Sequence, residues 1–437
     1  MSEPITPLDR RTFLQGAGTL AAASLSAAPS LASAQESAAG DAELRVALIG
    51  CGGRGTGACR QALNTGNNRL VAMADAFPDR LEESLSNISA AHPDAVDVPN
   101  ERKFVGFDAF KKAIDEDVDV VILTTPPGFR PEHFDYAVSK GKHIFMEKPV
   151  AVDGPGIRMV MEAAAVAKEK KLCVGVGLQR HHSFKYQDTI RAIEDGAIGK
   201  PVALRVYWNS GGVWVKPRKA QWNEMQYQMR NWYYFNWLCG DHIVEQHIHN
   251  LDVGNWVMGQ TPVKAVGMGG RQVRKGAKHG EIFDHHAVEY IYEDGTRMHS
   301  QCRHQKQVWN SVSEHVHGSG GTCNVGAGRI ETYGGDKWRF EGKDSDAYQR
   351  EHDVLFEAIR TGREHNEAIR GAEATMTAIL GRMATYTGQA ITWDEALNST
   401  RLLRPDVEEL TWDTVPRSLP GSDGLYPIPT PGVYKID

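Results

Sequence analysis

The chain has 437 residues, of which 41% are hydrophobic and 24% are charged, and its formal net charge is −6. This composition is typical of a globular protein that is long enough for two domains, each with its own core. Because the charge balance is mildly acidic and no basic run occurs, nucleic acid and an anionic membrane surface are not expected as partners.

The first 34 residues predict a twin-arginine signal peptide. Arg10 and Arg11 precede a weakly apolar run rich in Ala, Gly and Ser, and Ala32-Ser33-Ala34 forms a small-x-small cleavage site. The run is too short and too poor in Leu and Ile to act as a membrane anchor. We therefore expect export to the periplasm by the twin-arginine pathway, which carries folded proteins, and a linker over residues 35–43.

A glycine-rich loop follows the first predicted strand. The apolar run "LRVALIG" (residues 44–50) is typical of a buried parallel strand and leads into "GCGGRG", in which Gly50, Gly52 and Gly55 match G-x-G-x-x-G. In this pattern Gly50 permits a tight turn, Gly52 lets the backbone approach a pyrophosphate, and Gly55 lets the next helix pack closely on the strand. The N–H groups at the start of that helix would bind the phosphates.

A second apolar run ends at Asp75, where a carboxylate would accept hydrogen bonds from the adenosine ribose and repel a 2′-phosphate. NAD is therefore the expected cofactor, and NADP stays open because Arg80 is close. We assign the cofactor contacts to the loop, to Asp75 and to two later strand ends: Gly50, Gly52, Gly53, Arg54, Gly55, Asp75, Thr125, Pro126, Glu147 and Lys148.

Strands and helices continue to alternate up to residue 178. Apolar runs at residues 118–127, 143–149 and 172–178 are separated by amphipathic stretches. This alternation predicts a doubly wound parallel sheet over residues 44–178, with ligands at the carboxyl ends of its strands. One of these strands ends in "EKP" at residues 147–149, so Lys148 would point into the ligand crevice.

The motifs together resemble the Gfo/Idh/MocA family of sugar oxidoreductases. The resemblance rests on G-x-G-x-x-G, T-P-P at residues 125–127, E-K-P, H-x-x-D at residues 249–252 and the segment "TIRAIEDGAIGKPVALRVYW". It implies a Rossmann domain followed by an α/β domain with an open, largely antiparallel sheet that often mediates oligomerisation. We expect this second domain over residues 179–400, an extended tail over residues 401–437, and a homodimer or homotetramer.

The stretch "GDHIVEQHIHNLD" (residues 240–252) lies in a helix predicted for residues 242–258. At about 100° per residue, His242, Glu245, His249 and Asp252 would fall on one face. Three interpretations compete: a polar face with a Glu245–His249 pair, a zinc site at His242, Glu245 and His249, and acid–base catalysis. Because H-E-x-x-H spacing is absent, no metal is predicted, and acid–base catalysis is favoured.

The resemblance implies a role for each candidate catalytic residue. In that family a D-x-x-x-H pair follows the lysine; His249 stands at the histidine position, and Glu245 stands where aspartate is usual. Either Lys148 or His249 would take the hydroxyl proton, Lys148 would also stabilise alkoxide character, and Glu245 would polarise His249. Sugar hydroxyls would meet a further set of side chains: Arg180, His182, His242, Asp252 and His285.

The expected function is NAD(P)-dependent redox chemistry at a hydroxyl of a carbohydrate substrate (a sugar, sugar derivative or polyol). Tight cofactor binding is expected, because no pool of free NAD is maintained outside the cytoplasm. Two alternatives stay open. One is an NAD-dependent glycoside hydrolase or lyase that works by transient oxidation and elimination, and the other is a non-catalytic protein that binds sugar and NAD.

Overall fold

The structure is a computed structural model that describes residues 42–404 and 409–437. The signal peptide predicted for residues 1–34 and most of the predicted linker lie outside these residues. None of the helices within the described ranges is long and apolar enough to cross a membrane.

The first sheet has six parallel strands. They are β1 (Leu44–Ile49), β2 (Asn68–Asp75), β3 (Lys103–Val105), β4 (Val120–Leu123), β5 (His143–Met146) and β6 (Val174–Val176). The helices between them are α1 (Gly53–Asn64), α2 (Pro78–Ala91), α3 (Ala109–Asp115), α4 (Arg130–Ser139) and α5 (Gly154–Glu169). The strand order is β3-β2-β1-β4-β5-β6, which is doubly wound and leaves a ligand crevice at the carboxyl ends of β1 and β4.

The second sheet has nine strands and is mostly antiparallel. They are β7 (Pro201–Ser210), β8 (Lys264–Gly270), β9 (His285–Ile291), β10 (Arg297–His304), β11 (Ser311–Gly318), β12 (Gly321–Asn324), β13 (Arg329–Thr332), β14 (Lys337–Arg339) and β15 (Ile391–Thr392). Their order is β14-β13-β12-β11-β7-β10-β9-β8-β15, and β7 with β10 is the parallel pair. The two sheets confirm the predicted fold class.

Eight further helices pack around the sheets. They are α6 (Phe184–Glu194), α7 (Glu224–Arg230), α8 (Asn236–Cys239), α9 (His242–Glu245), α10 (Ile248–Met258), α11 (Ala347–Thr361), α12 (Ala368–Thr387) and α13 (Trp393–Asn398). The longest, α12, packs against β8, α5 and α10, so it joins the two halves of the molecule. Its small buried residues allow this close packing on several neighbours.

The single helix predicted for residues 242–258 is wrong, because the chain forms two helices there, α9 and α10. The carbonyl oxygen of Glu245 accepts a hydrogen bond from Lys148 Nζ at 2.6 Å. The N–H of His247 donates to the carbonyl oxygen of His242, five residues earlier, and Gln246 and His247 lie between the two helices. These irregular backbone hydrogen bonds interrupt the helix. The 3.6-residue period therefore does not continue from α9 into α10.

Helix α11 packs on the first sheet, although residues 347–361 lie in the predicted second domain. Leu355 and Phe356 share a buried core with Val46 and Leu48 of β1. The domain boundary at residue 178 stays a prediction. One of the helices that pack on the nucleotide-binding sheet comes from this later part of the chain.

The described part of the predicted tail has no helix or strand beyond residue 398, and it contacts its own chain. The ring of Tyr426 packs on Phe235, with ring centroids 4.9 Å apart, and Tyr434 packs on Tyr386. The described part of the tail thus packs on its own chain, whereas oligomerisation stays a prediction.

Candidate functional site

The glycine loop has the shape that a dinucleotide pyrophosphate needs. Gly50 has a φ of 95°, which a residue with a Cβ rarely adopts. A Cβ at Gly55 would overlap the carbonyl oxygen of Gly50, so only glycine lets α1 pack this close to β1. No atom lies within 4 Å of a Cβ placed at Gly52 or Gly53, where the loop opens into a cleft of about 480 Å³. The loop therefore fits a dinucleotide, and the first turn of α1 would offer its N–H groups to the phosphates.

Asp75 ends β2 and lines the same cleft. Its carboxylate accepts hydrogen bonds from the N–H of Cys51 at 2.7 Å and from the N–H of Phe77 at 2.8 Å, which fix its position. Burial raises the pKa of Asp75, and these two bonds oppose the rise. The predicted cofactor residues that line the cleft are Gly50, Gly52, Gly53, Arg54, Gly55, Asp75, Thr125 and Pro126.

Glu147, a further predicted cofactor residue, binds the side chain of Arg54 in the glycine loop. Its buried carboxylate accepts a hydrogen bond from Arg54 Nε at 2.5 Å, and Arg54 also approaches Glu351 of α11 at 3.7 Å. Strand β5 and helix α11 are thereby tied to the glycine loop. Direct contact between Glu147 and the cofactor stays a prediction.

The second domain lines one side of the cleft, and the tail packs against residues at that side. Arg230 of α7 donates to both carboxylate oxygens of Asp79, at 2.6 Å each, and its guanidinium lies 3.8 Å from the ring centroid of Phe77. Trp412 of the tail packs on Phe77 and Phe107, with ring centroids 4.9 and 4.6 Å apart. We call Phe77, Asp79, Arg230 and Trp412 the rim clamp.

Lys148 links the end of β5 to helix α9. Its Nζ donates to the carbonyl oxygen of Glu245 at 2.6 Å and to Glu245 Oε1 at 3.0 Å, and the two side chains are 11% and 10% exposed. Burial raises the pKa of Glu245, while the ammonium of Lys148 opposes this rise. The pair holds a buried ammonium in a defined position at the strand end.

His249 lies close to this pair but is not bonded to it. Its ring stacks on Trp208 with centroids 6.1 Å apart, and its Nδ1 has no hydrogen-bond partner among the described residues. Burial lowers the pKa of His249 well below its ordinary value, and the nearby cations Lys148 and Arg180 lower it further. The expectation that Glu245 polarises His249 is therefore corrected: Glu245 pairs with Lys148, because the helix breaks between the two residues.

Glu314 of β11 is a site residue that the sequence interpretation missed. It is buried, and its carboxylate accepts hydrogen bonds from Arg180, from Asn250 and, at 3.2 Å, from the hydroxyl of Tyr186. These bonds anchor Arg180 near His249. One signal in the sequence marks Glu314: it alternates in phase with Val316, so it occupies an inward position of its strand.

The other predicted substrate contacts do not converge on Lys148. Asp252 bonds His181 Nε2 at 2.9 Å and lines a separate cavity of about 570 Å³, and His182 lies 3.3 Å from Glu367. His285 bonds Asp284 at 2.8 Å and is 39% exposed.

The shared helix face predicted for His242, Glu245, His249 and Asp252 is thus wrong. His242 faces Asp241 and His286. The ligand atoms of His242, Glu245 and His249 do not meet within 4.8 Å of one another, so these three cannot share one metal ion.

A dinucleotide cleft, a buried ammonium and a neutral imidazole are groups that can support transfer of a hydride and a proton at a carbinol. The fold and the site together define a nicotinamide-dependent oxidoreductase. A family model described as "Oxidoreductase family, NAD-binding Rossmann fold" matches residues 44–178, and a second, "GFO/IDH/MocA C-terminal domain", matches residues 186–324. The two models together span more than half of the chain, which belongs to the Gfo/Idh/MocA family.

Relatives and solved structures agree with this family. The chain is 24% identical over 333 residues to an inositol 2-dehydrogenase of Rhizobium meliloti (strain 1021), covering 74% of this chain and 90% of that protein. The structure of an aldose-aldose oxidoreductase from Caulobacter crescentus, complexed with glycerol, is similar with a TM-score of 0.64 and 18% identity, covering 80% of this chain and 99% of that one.

A scyllo-inositol dehydrogenase from Lactobacillus casei, solved with NAD(H) and scyllo-inositol, gives a TM-score of 0.61 and 18% identity over 80% of this chain and 99% of that one. At these identities the solved structures show a common fold. The family model and the cleft geometry identify NAD as the cofactor type.

Proposed function

We propose that this protein is an exported NAD(P)-dependent oxidoreductase that acts on a hydroxyl of a sugar, sugar derivative or polyol and retains its cofactor between turnovers. The observation that carries the catalytic part is the Lys148–Glu245 pair beside the neutral His249, at the carboxyl edge of the sheet that forms the cofactor cleft. The named relatives act on inositol or aldose substrates, which supports a polyhydroxylated substrate.

The residues divide the proton chemistry between them. His249 is neutral near pH 7 because burial and two neighbouring cations disfavour its charged form, so it can accept the hydroxyl proton. Lys148 brings a positive charge that favours alkoxide character on the substrate oxygen. Glu245 holds Lys148 in place, and Arg180, anchored by Glu314, presents a second cation beside His249. Bound NAD supplies the hydride acceptor and donor.

Retention of the cofactor is supported by the rim clamp. Its residues come from three separate parts of the chain and join α7 and the tail to Phe77, which lines the cleft. Export is supported by the twin arginine at Arg10 and Arg11, since a protein that leaves the cytoplasm folded can carry its cofactor with it.

The test uses protein purified without its first 34 residues and with no nicotinamide added. Denaturation should release about one equivalent of NAD(H) per chain, and repeated turnover should need a sugar or ketone pair that oxidises and reduces the same cofactor. Added inositols, aldoses and glycosides are screened by absorbance at 340 nm and by product analysis.

Protein that purifies without nucleotide and makes NADH from added NAD over many turnovers would contradict retention. Release of an aglycone without net reduction would replace the oxidoreductase with a glycoside hydrolase or lyase.

A further inference from the structure

A second group of titratable side chains, separate from the Lys148 site, is fully buried in the protein. Asp241, His242 and His286 have side chains with 0% exposure, and one ligand atom from each lies within 4.8 Å of the other two. Within residues 42–404 and 409–437, this is the one set of three His, Cys, Asp or Glu residues so arranged. None of the three bonds Lys148 or His249.

Asp241 supplies an oriented carboxylate oxygen. Its Oδ2 accepts hydrogen bonds from the N–H of Phe283 at 2.9 Å and from the hydroxyl of Tyr386. Its Oδ1 accepts from the N–H of His242 and lies 2.8 Å from His242 Nδ1 and 3.3 Å from His286 Nε2. Nδ1 of His242 and Nε2 of His286 nevertheless have no hydrogen-bond partner among the described residues, so the contacts lack hydrogen-bond geometry.

The tautomer of His286 is fixed by its neighbours. The hydroxyl of Thr385 donates to the carbonyl oxygen of Arg382 at 3.0 Å, so its oxygen accepts from His286 Nδ1 at 2.9 Å. The proton of a neutral His286 is then on Nδ1, and Nε2 presents a lone pair to the carboxylate of Asp241. In that form the Nε2 lone pair and Asp241 Oδ1 face each other at 3.3 Å, and a cation bound by both atoms would stabilise them.

His242 and its neighbour His304 also have ring nitrogens without hydrogen-bond partners among the described residues. Both ring nitrogens of each residue are buried without a hydrogen-bond partner in the described part of the chain, and the two rings lie 4.4 Å apart. Buried imidazoles left without any partner are strongly unfavourable. A bound cation would give His242 a ligand bond, and His304 packs against that ring.

We propose that Asp241, His242 and His286 bind one divalent transition-metal ion of the zinc class. Two imidazole nitrogens and one carboxylate oxygen suit such an ion, whereas calcium and magnesium prefer oxygen ligands alone. The hydrogen bond from His286 to Thr385 is the outer contact that orients a metal-bound histidine. This set replaces the triplet His242, Glu245 and His249 considered from the sequence, and it revises the expectation that no metal is bound.

The site has a positioning role. His242 begins α9 and Glu245 ends it, so a metal that joins His242 to His286 pins this one-turn helix to β9 and fixes the partner of Lys148. Because all three ligands are buried, the ion does not contact substrate. Metal binding itself does not depend on the proposed function, whereas its effect on Lys148 does.

The experiment measures metal content in the exported chain carrying a tag without histidine. Elemental analysis of protein grown with zinc should give one zinc per chain after dialysis. His286→Asn keeps a donor for Thr385 but removes Nε2, and should lower zinc affinity at least about 100-fold, because even loss of an outer contact lowers affinity roughly 10–100-fold. His299→Asn, which changes an exposed histidine on the neighbouring strand β10, should leave zinc content unchanged.

Two further measurements keep the proposal falsifiable if His286→Asn does not fold. Thr385→Val leaves all three ligands in place and should weaken zinc binding about 10–100-fold. Zinc removed from unmodified protein with dipicolinate should rebind when zinc chloride alone is added, and should raise the melting temperature.

Unmodified protein that holds no metal before or after added zinc would overturn the proposal. Equal zinc binding by His286→Asn would also overturn it. Bound zinc in an inactive protein would contradict only the proposed function.

Discussion

The rim clamp should set the rate at which the cofactor leaves. Arg230→Ala removes two contacts across the rim: the ion pair with Asp79, whose side chain is 59% exposed, and the contact with the face of Phe77. The exposed ion pair contributes about 0.5 kcal/mol and the cation–π contact about 0.5–1 kcal/mol. Their sum of about 1–1.5 kcal/mol corresponds to a roughly five- to tenfold faster dissociation of NADH.

A series of variants separates the two contacts. Asp79→Asn should remove only the ion pair and accelerate release about twofold. Because salt screens exposed charges, added salt should speed release from the unmodified protein and have little effect on Asp79→Asn. Arg191→Ala, which breaks an exposed ion pair with Asp188 on α6, is the matched control and should release cofactor at the normal rate.

The assay follows the loss of bound NADH fluorescence after mixing with a large excess of NAD. Unchanged release from Arg230→Ala, with the fold verified by circular dichroism, would refute the idea that α7 closes the cleft. Faster release from the control variant Arg191→Ala would show that general destabilisation, rather than the rim, governs dissociation.

Four further predictions concern catalysis and export. Lys148→Ala and His249→Ala should each lower kcat by about 10²–10⁴ in steady-state assays while NAD stays bound; near-normal turnover in both would contradict the site assignment. Because burial lowers the pKa of His249, its proton-accepting form persists on acidification, and kcat/KM should hold its plateau below pH 6.5, where an inflection at an ordinary histidine pKa would argue against this base. Asp75→Ala should weaken binding of NAD relative to NADP in titrations, and an unchanged ratio would remove Asp75 from the ribose site. Replacing Arg10 and Arg11 with lysine should keep the precursor in the cytoplasm in cell fractionation, so continued export would exclude the twin-arginine route.

The parts of the site that lie within short stretches of chain were accessible from the sequence. Gly50, Gly52 and Asp75 form a pattern whose spacing is set by one strand–turn–helix unit, and all three line the cleft. Lys148 lies just beyond the end of β5 in the structure, as the sequence predicts, because an apolar run followed by a polar turn marks where a buried strand stops.

The parts that depend on distant chain segments were not accessible. The break between α9 and α10 accompanies a hydrogen bond from Lys148, almost a hundred residues earlier, to a carbonyl that a regular helix would use itself. Glu314 and His286 reach their partners because β11 and β9 hold particular places in the sheet, and local spacing does not encode sheet order. Helical periodicity alone therefore wrongly predicted that His242 and Asp252 share one helix face with Glu245 and His249.

Helix α11 has a consequence for the order in which the protein can be made. Helix α11 packs on β5, β6 and α1, and its Leu355 and Phe356 belong to the buried core of the first sheet, so the nucleotide-binding half stays partly uncovered until residue 361 has left the ribosome. At about 5–20 residues per second, translation from residue 178 to that point takes roughly ten seconds or more, during which a chaperone could shield the uncovered sheet. A fragment that stops at residue 178 should therefore aggregate.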